Sequence, residues 1–197
     1  MYNLIKGLNS LFISKVRIKC LKYFLFHPDA PIHLRGAVRE FKEEINAVRR
    51  EMGRLEETCI ITSEVRGNRK YYLLNTQYPY IPELLGMFHK TFGLGGSILQ
   101  NLDKLGEVQF VIFSGTFTNI VKPSAHNVDM VVIGDVNVEA LNSVVDDAEK
   151  KLGRQINYTV LKISEFILRK KRRDAFIMEL LMGNKILIVG DSEDLAN

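Results

Sequence analysis

Cysteine is scarce in this 197-residue chain, and it has no long apolar run. The two cysteines, Cys20 and Cys59, lie in apolar stretches with no pairing pattern, so a disulfide framework is not expected and a reducing cytoplasm fits. No apolar run approaches the ~18 residues that a membrane-spanning helix needs. The apolar segment 1–12 is interrupted by Lys6 and Asn9, and no small-residue cleavage site follows it. We therefore expect a cytoplasmic protein with no signal peptide, anchor or membrane partner.

Charge is unevenly spread along the chain. Apolar residues make up 46% and charged residues 25%, which is ordinary for a globular protein with a core. Residues 1–90 hold 15 Lys and Arg against 9 Asp and Glu, whereas residues 91–197 hold 12 against 14. A basic first half suggests a polyanionic partner there, although a chance asymmetry of a soluble surface would explain the charge equally well.

The first ninety residues carry three apolar patterns with helical spacing, followed by two β-rich runs. Ser14 is typical of a helix N-cap, and Pro28 with Asp29 ends the first helix. The apolar stripes of the three helices are Val16, Cys20, Leu21, Phe24 and Leu25; Leu34, Ala37, Val38 and Phe41; and Ile45, Val48, Met52 and Leu55. The β-rich runs, Ile60–Val65 and Lys70–Asn75, flank Arg66-Gly67-Asn68-Arg69, where Gly and Asn tolerate the positive φ of a hairpin turn.

The third helix and the hairpin both carry cations, which favours duplex DNA as the partner. A helix fits the major groove, where Asn pairs with adenine and Arg with guanine, while cations at a hairpin tip lie against phosphates. The candidate DNA-binding residues are Asn46, Arg49, Arg50, Arg54, Arg66, Asn68, Arg69 and Lys70. The alternative is a three-helix domain with a solvated, Arg-rich face. Cations on two separate elements favour the DNA interpretation.

The stretch from Ser14 to Asn75 resembles the winged helix-turn-helix module of the MarR/ArsR-type transcriptional regulators. Its most specific parts are NAVRREMGRLEE and RGNRKYYLLN. The resemblance implies binding to double-stranded DNA as a homodimer, because such readers usually recognise pseudo-palindromes. One departure is Lys42-Glu43-Glu44 before the third helix, since two acids near phosphates should weaken binding.

Residues 81–105 are expected to form a helical connector between a first domain, 1–80, and a second, 106–197. Pro82 can begin a helix that runs through Leu84, Leu85 and Phe88. The glycines that follow, Gly93, Gly95 and Gly96, are predicted to form a hinge or tight turn. They do not form a phosphate-binding loop, because no strand precedes them and no Gly-Lys-Ser/Thr follows.

Strands and helices alternate in the second half, which predicts a small α/β sheet domain. The expected strands are Val108–Ser114, Val128–Ile133 closed by Gly134, INYTVLKI and KILIVG. A Gly115-Thr116 turn ends the first strand, and Asp129 follows on the next. The segments FVIFSGTF…NVDMVVIGDVN and YTVLKISEF…GNKILIVG look like minimal nucleotidyltransferase domains. That resemblance implies a turn that holds phosphates and paired aspartates that hold two Mg²⁺ ions.

Three departures predict that this chemistry is lost. Thr116 replaces the serine of the turn, Asn127 replaces the first metal aspartate, and a later third carboxylate has no equivalent. We expect no metal, no cofactor and at most weak nucleotide binding at Gly115, Thr116 and Asp129. Asp129 is then a strand-end acid hydrogen-bonded to a nearby backbone amide. The basic run Arg169–Arg173 is interpreted as a solvated helix face.

These observations predict an α+β protein of two domains, an N-terminal winged helix-turn-helix and a C-terminal nucleotidyltransferase-like sheet domain. The expected function is that of a DNA-binding transcriptional regulator. Its second domain would sense a small-molecule effector, dimerise or bind a protein partner. Two alternatives stay open: an active Mg-dependent nucleotidyltransferase, and an antitoxin-like protein that buries its second domain against a partner.

Overall fold

The chain is an α+β protein that divides into two compact units, Met1–Leu84 and Leu85–Asn197. The computed structural model describes residues 4–114, 117 and 128–196, and within these ranges it contains ten helices and two small sheets. None of the helices in this described part is long and apolar enough to cross a membrane.

The first unit, called unit 1, contains four helices and a three-stranded antiparallel sheet. Its elements are α1 (Leu4–Phe12), α2 (Lys15–Phe26), β1 (Ile32–His33), α3 (Leu34–Phe41), α4 (Ile45–Glu57), β2 (Ile61–Arg66) and β3 (Arg69–Leu74). The strand order is β1-β3-β2. As predicted, Ser14 caps α2, because its side chain accepts the backbone N–H of Arg17 at 3.2 Å.

The core of unit 1 lies where α2, α3 and α4 pack together. Phe24, Ala37, Val48 and Met52 are all fully buried there, so the central residues of the predicted helical stripes are confirmed. Cys20 is also buried, and this burial raises the pKa of its thiol to about 12. Cys59 is exposed after the end of α4, so the expectation of apolar surroundings is wrong for that residue.

The hairpin β2–β3 turns through Gly67 and Asn68, with Arg66 opposite Arg69 in the register. Of these two residues only Gly67 adopts a positive φ, of 59°. A positive φ at the first central residue alone matches a type II′ turn, which requires Gly at that position. Lys42 has a φ of 52° at the end of α3, so a non-glycine residue takes the left-handed conformation between α3 and α4.

The second unit, called unit 2, is built around a four-stranded mixed sheet. Its elements, with α5 beginning just before the boundary, are α5 (Ile81–Thr91), α6 (Gly93–Gln100), a 3-10 turn (Leu102–Lys104), β4 (Gly106–Phe113), β5 (Met130–Val136), α7 (Val138–Leu152), β6 (Tyr158–Leu161), α8 (Ile163–Lys171), α9 (Ala175–Met182), β7 (Ile186–Val189) and α10 (Ser192–Ala196). The strand order is β6-β5-β4-β7. β5 and β6 are parallel, and the other two pairs are antiparallel.

One sheet face of unit 2 packs against α8, α9 and the end of α10. The buried cluster there is Phe110, Ile112, Val131, Ile133, Leu161, Phe166, Ile177, Leu180 and Leu195. The strand expected to end at Gly134 runs on to Val136. Gly134 has a φ of 147° beside a register shift in β4, and an added Cβ would lie 2.2 Å from the Glu107 carbonyl oxygen. The glycine therefore accommodates a bulge within the sheet, and it does not end the strand.

Gly93, Gly95 and Gly96 were expected to form a hinge or tight turn, and this prediction is wrong for Gly95 and Gly96, which lie inside α6. The chain turns at Gly93, whose φ is 63°, and Gly95 and Gly96 then continue as buried helical residues. A Cβ on Gly95 would lie 2.2 Å from the His89 carbonyl oxygen, and one on Gly96 would lie 2.6 Å from that of Thr91. These glycines allow the backbones of α5 and α6 to approach closely, which outweighs their poor helix propensity.

Candidate nucleic-acid interface

Helix α4 has a buried face and a polar exposed face. Val48, Met52 and Leu55 are buried against the rest of unit 1. The predicted DNA-binding residues of this helix, Asn46, Arg49, Arg50 and Arg54, are all exposed. The structure thus places these four side chains on one surface, since positions 46, 49, 50 and 54 share a helical face.

The acids before α4 have defined partners. The Glu44 carboxylate caps the helix by accepting the backbone N–H groups of Asn46 at 2.8 Å and Ala47 at 2.9 Å. These two hydrogen bonds, helped by the charges of Arg49 and Arg50, lower the pKa of Glu44. Glu43 forms an ion pair with Lys19 at 2.6 Å. Both negative charges therefore lie at the N-terminal end of α4.

The three arginines of α4 differ in their partners. Arg49 donates from Nη1 to Asn46 Oδ1 at 2.9 Å, so these two predicted readers bind each other. Arg54 donates from Nη1 to Glu51 Oε1 at 3.0 Å. The Arg50 side chain makes no hydrogen bond or ion pair within the described ranges, which leaves it available for an external acceptor.

Glu51 is a buried acid on the apolar face of α4, and the sequence analysis missed it. Its side chain is 4% exposed and binds Arg17 Nε of α2 at 2.8 Å as well as Arg54. Burial raises the pKa of Glu51, but the hydrogen bonds from Arg17 and Ser14 and the arginine charges outweigh it and lower the pKa overall. The available signal was its position one turn after Val48, within the stripe of buried residues.

The cations of the hairpin β2–β3 also fall into two groups. Lys70 pairs with Glu56 at 2.8 Å, and this hydrogen bond raises the pKa of Lys70. Arg66 pairs with Glu64. Arg69 is exposed, and its side chain has no hydrogen bond or ion pair in the described part of the chain. Asn68 is exposed at the tip beside Arg69.

Asp129 of unit 2 is buried and held by its own chain. Its Oδ2 accepts the Asn157 backbone N–H at 3.1 Å and Arg154 Nη1 at 3.1 Å. The expected hydrogen bond to a nearby backbone amide is confirmed, whereas the ion pair with Arg154 was not foreseen. Arg154 lies 25 residues away, and its guanidinium carbon is 5.1 Å from the centroid of the Phe117 ring.

The other parts of the proposed nucleotide site, Gly115, Thr116 and Asn127, lie outside the described residues. Among the residues that are described, no group of three or more His, Cys, Asp or Glu side chains is arranged to hold a metal ion. The described part of this site is therefore one carboxylate with an arginine and a backbone amide as its partners.

No family model matches this chain, and no curated protein matches it. Among solved structures, the chain is similar to human N-acetylserotonin methyltransferase in complex with SAM, with a TM-score of 0.30 and 10% sequence identity. The match covers 51% of this chain and 33% of the methyltransferase chain. A similarity at that TM-score defines neither the fold nor the function of the present protein.

Proposed function

We propose that this chain is a DNA-binding transcriptional regulator whose unit 1 is a winged helix-turn-helix. The observation that carries the proposal is the placement of Arg50 and Arg69. The first is exposed on α4 and the second near the tip of the hairpin β2–β3, and neither side chain is paired within the described ranges. Three helices, a small antiparallel sheet and a cationic hairpin are the parts that a winged helix needs.

The two arginines would have different roles on a duplex. α4 would enter the major groove, where the Arg50 guanidinium can donate two hydrogen bonds to a guanine edge. Arg69 would contact phosphate, which adds affinity without sequence preference. Arg54 and Lys70 would contribute less, because carboxylates of this chain already hold them. Asn46 and Arg49 would exchange their mutual hydrogen bond for contacts with bases.

We further propose that unit 2 is a nucleotidyltransferase-like domain that transfers no nucleotide. Asp129 is held by Arg154 and by the Asn157 amide, and a carboxylate with these partners is poorly placed to bind two metal ions. The domain would then sense an effector, dimerise or bind a partner. Incorporation of labelled nucleotide by the unmodified protein, abolished in Asp129→Ala, would overturn this proposal in favour of an active enzyme.

A homodimer is part of the proposal, and α1 is its candidate contact. Leu8 is buried where α1 packs on α2, whereas Leu4, Ile5 and Leu11 are 38%, 46% and 70% exposed. An apolar helix face of this kind is suited to a second copy, since a two-fold dimer matches a pseudo-palindromic site. Light scattering at micromolar concentration should report a dimer that Leu11→Glu weakens. A monomer for the unmodified chain would contradict it.

Fluorescence anisotropy with duplexes selected from a random pool tests the DNA interface. We expect Arg50→Ala to lose roughly 1–3 kcal/mol of binding to the selected duplex, the value of one good base contact. Arg69→Ala should weaken all duplexes about equally and flatten the dependence of log K on log salt by about 0.9. Lys150→Ala removes an exposed cation from α7 and is the control. Unchanged affinity in both unit 1 variants would reject the interface.

A further inference from the structure

Unit 2 contains an open cleft of about 780 Å³ between α8 and the chain that follows β7. Ligand-binding clefts in proteins usually measure roughly 300–1,000 Å³, so this one has room for a small molecule. All of its lining residues belong to unit 2 and to the described part of the chain. The cleft does not include the Asp129 site, since neither Asp129 nor Arg154 lines it.

The cleft has an apolar floor with a fixed shape. Phe110 and Phe166 are both nearly buried, and their ring centroids lie 6.4 Å apart. Ile167 extends the apolar surface toward solvent and is 44% exposed. Gly190 forms part of the wall with a φ of 99°, and an added Cβ would lie 2.3 Å from Cδ1 of Phe110. Only a residue without a side chain fits there, so the wall closely follows the phenylalanine ring.

The rim of the cleft carries balanced charge. Lys170 and Lys171 lie on α8, and Asp191 and Asp194 lie on the chain after β7. Lys170 Nζ donates to the Leu195 carbonyl at 2.9 Å, and Asp191 accepts the Glu193 backbone N–H at 2.7 Å. The Lys171 and Asp194 side chains make no hydrogen bond or ion pair with other described residues. One cation and one carboxylate are therefore available to a ligand.

This combination selects for a particular ligand chemistry. Two lysines and two carboxylates give the rim no net charge, so it does not select for a polyanion such as a nucleoside triphosphate or for a polycation. An apolar floor beneath one available cation and one available carboxylate suits a molecule with an apolar body and both charges. We propose that this cleft binds a free apolar amino acid, with its carboxylate at Lys171, its ammonium group at Asp194 and its side chain on the phenylalanine floor. This inference is independent of DNA binding.

Isothermal titration calorimetry on the full chain tests the ligand class with phenylalanine, leucine, isoleucine, valine and methionine as probes. Two analogues of phenylalanine each lack one charge: 3-phenylpropionate has no ammonium group and phenethylamine has no carboxylate. We expect at least one amino acid to bind. For phenylalanine, we expect the loss of either charge to weaken binding about tenfold or more. No binding of any amino acid up to about 10 mM would overturn the proposal. Equal binding of either analogue and phenylalanine would also overturn it.

Paired variants on adjacent residues test the location. Ile167→Glu should abolish amino-acid binding, whereas Leu168→Glu should not, because Leu168 is similarly exposed, at 48%, but does not line the cleft. Asp194→Asn should weaken binding about tenfold, and its control Glu193→Gln should leave it unchanged. Each variant's thermal unfolding is measured to show that it folds. Equal losses in a variant and its neighbouring control would place the ligand elsewhere and reject the assignment.

Discussion

Each unit contains a buried carboxylate, and the two can be compared directly. Glu51 lies in α4 and Asp129 at the start of β5, and their side chains are 4% and 3% exposed. Both are paired with arginines that remain partly exposed, Arg17 and Arg54 in the first case and Arg154 in the second. A buried acid is often considered a sign of chemistry. Here each acid binds an arginine that lies outside its own element.

The two carboxylates differ in whether they bind side chains alone or also the backbone. Glu51 binds the side chains of Arg17 and Arg54, and it thereby links α2 to α4. Asp129 also accepts the Asn157 backbone N–H, and its own N–H donates to the Asn157 carbonyl at 2.7 Å. Asp129 therefore joins the beginning of β5 to the chain entering β6. Loss of Asp129 should disturb backbone pairing, whereas loss of Glu51 should disturb only side-chain contacts.

The largest effect is expected from a third buried group, His89 of α5. Burial lowers its pKa from 6.5 to about 4, so the folded chain keeps His89 neutral while the unfolded chain binds a proton below pH 6.5. Its contribution to the free energy of unfolding is complete above pH 6.5. We expect the free energy of unfolding to fall by about 3 kcal/mol as the pH is lowered from 6.5 to 4.

Urea unfolding at several pH values measures this loss. His89→Gln should remove most of the slope between pH 6.5 and 4, and His27→Gln, at an exposed histidine, should retain it. Glu51 also loses its contribution as the pH falls, but in a lower pH range, because its pKa is lowered from 4.5 and its contribution is complete above that value. A flat profile from pH 6.5 to 4 in the unmodified chain would show that His89 does not remain neutral in the fold.

Asp129→Ala should have the next largest effect. It removes the ion pair with Arg154 and leaves the Asn157 N–H without its side-chain acceptor, for a loss of about 3 kcal/mol in the free energy of unfolding. Asp129→Asn keeps an acceptor oxygen and should lose about 1 kcal/mol. Asp147→Ala, at an exposed acid of α7, should change stability by less than about 0.5 kcal/mol. Equal losses for the Ala and Asn variants would show that the backbone contact is unimportant.

Glu51→Ala should destabilise unit 1 less than Asp129→Ala destabilises unit 2. Arg17 and Arg54 are 32% and 53% exposed, so water can solvate both guanidinium groups once the carboxylate is gone. We expect a loss of about 2 kcal/mol by chemical denaturation. Glu57→Ala, at an exposed acid of the same helix, should be nearly neutral. A larger loss for Glu51→Ala than for Asp129→Ala would reverse the comparison.

The smallest effect concerns DNA and rests on the proposed function. Glu51→Gln removes the charge that holds Arg54 and so frees this arginine for a phosphate. The slope of log K against log salt should become steeper by about 0.9 for each further phosphate that the protein neutralises. Glu57→Gln is the control for a charge change alone. An unchanged slope in Glu51→Gln would mean that Glu51 does not restrain Arg54 from binding DNA.

Local patterns were enough to predict most elements. The helices α2, α3 and α4 follow from apolar spacing, and Ser14 was identified as the cap of the first of them. The hairpin was predicted from β-rich runs around Gly67. The failures occur where packing overrides propensity: Gly95 and Gly96 are helical because α5 lies against them, and Gly134 accommodates a bulge.

The sequence by itself determined most of the residues that face inward on α2, α3 and α4, and which face of α4 carries arginines. That information is local, because it depends on helical spacing within a single segment. Only the tertiary structure decided which charges are available and which are held. Glu51 and Arg54 lie three residues apart on one helix, but the pairing of Glu51 with Arg17, 34 residues away, depends on how α2 packs on α4. Arg154 reaches Asp129 across 25 residues of chain, since ion pairs between elements depend on how those elements pack and no local spacing encodes that.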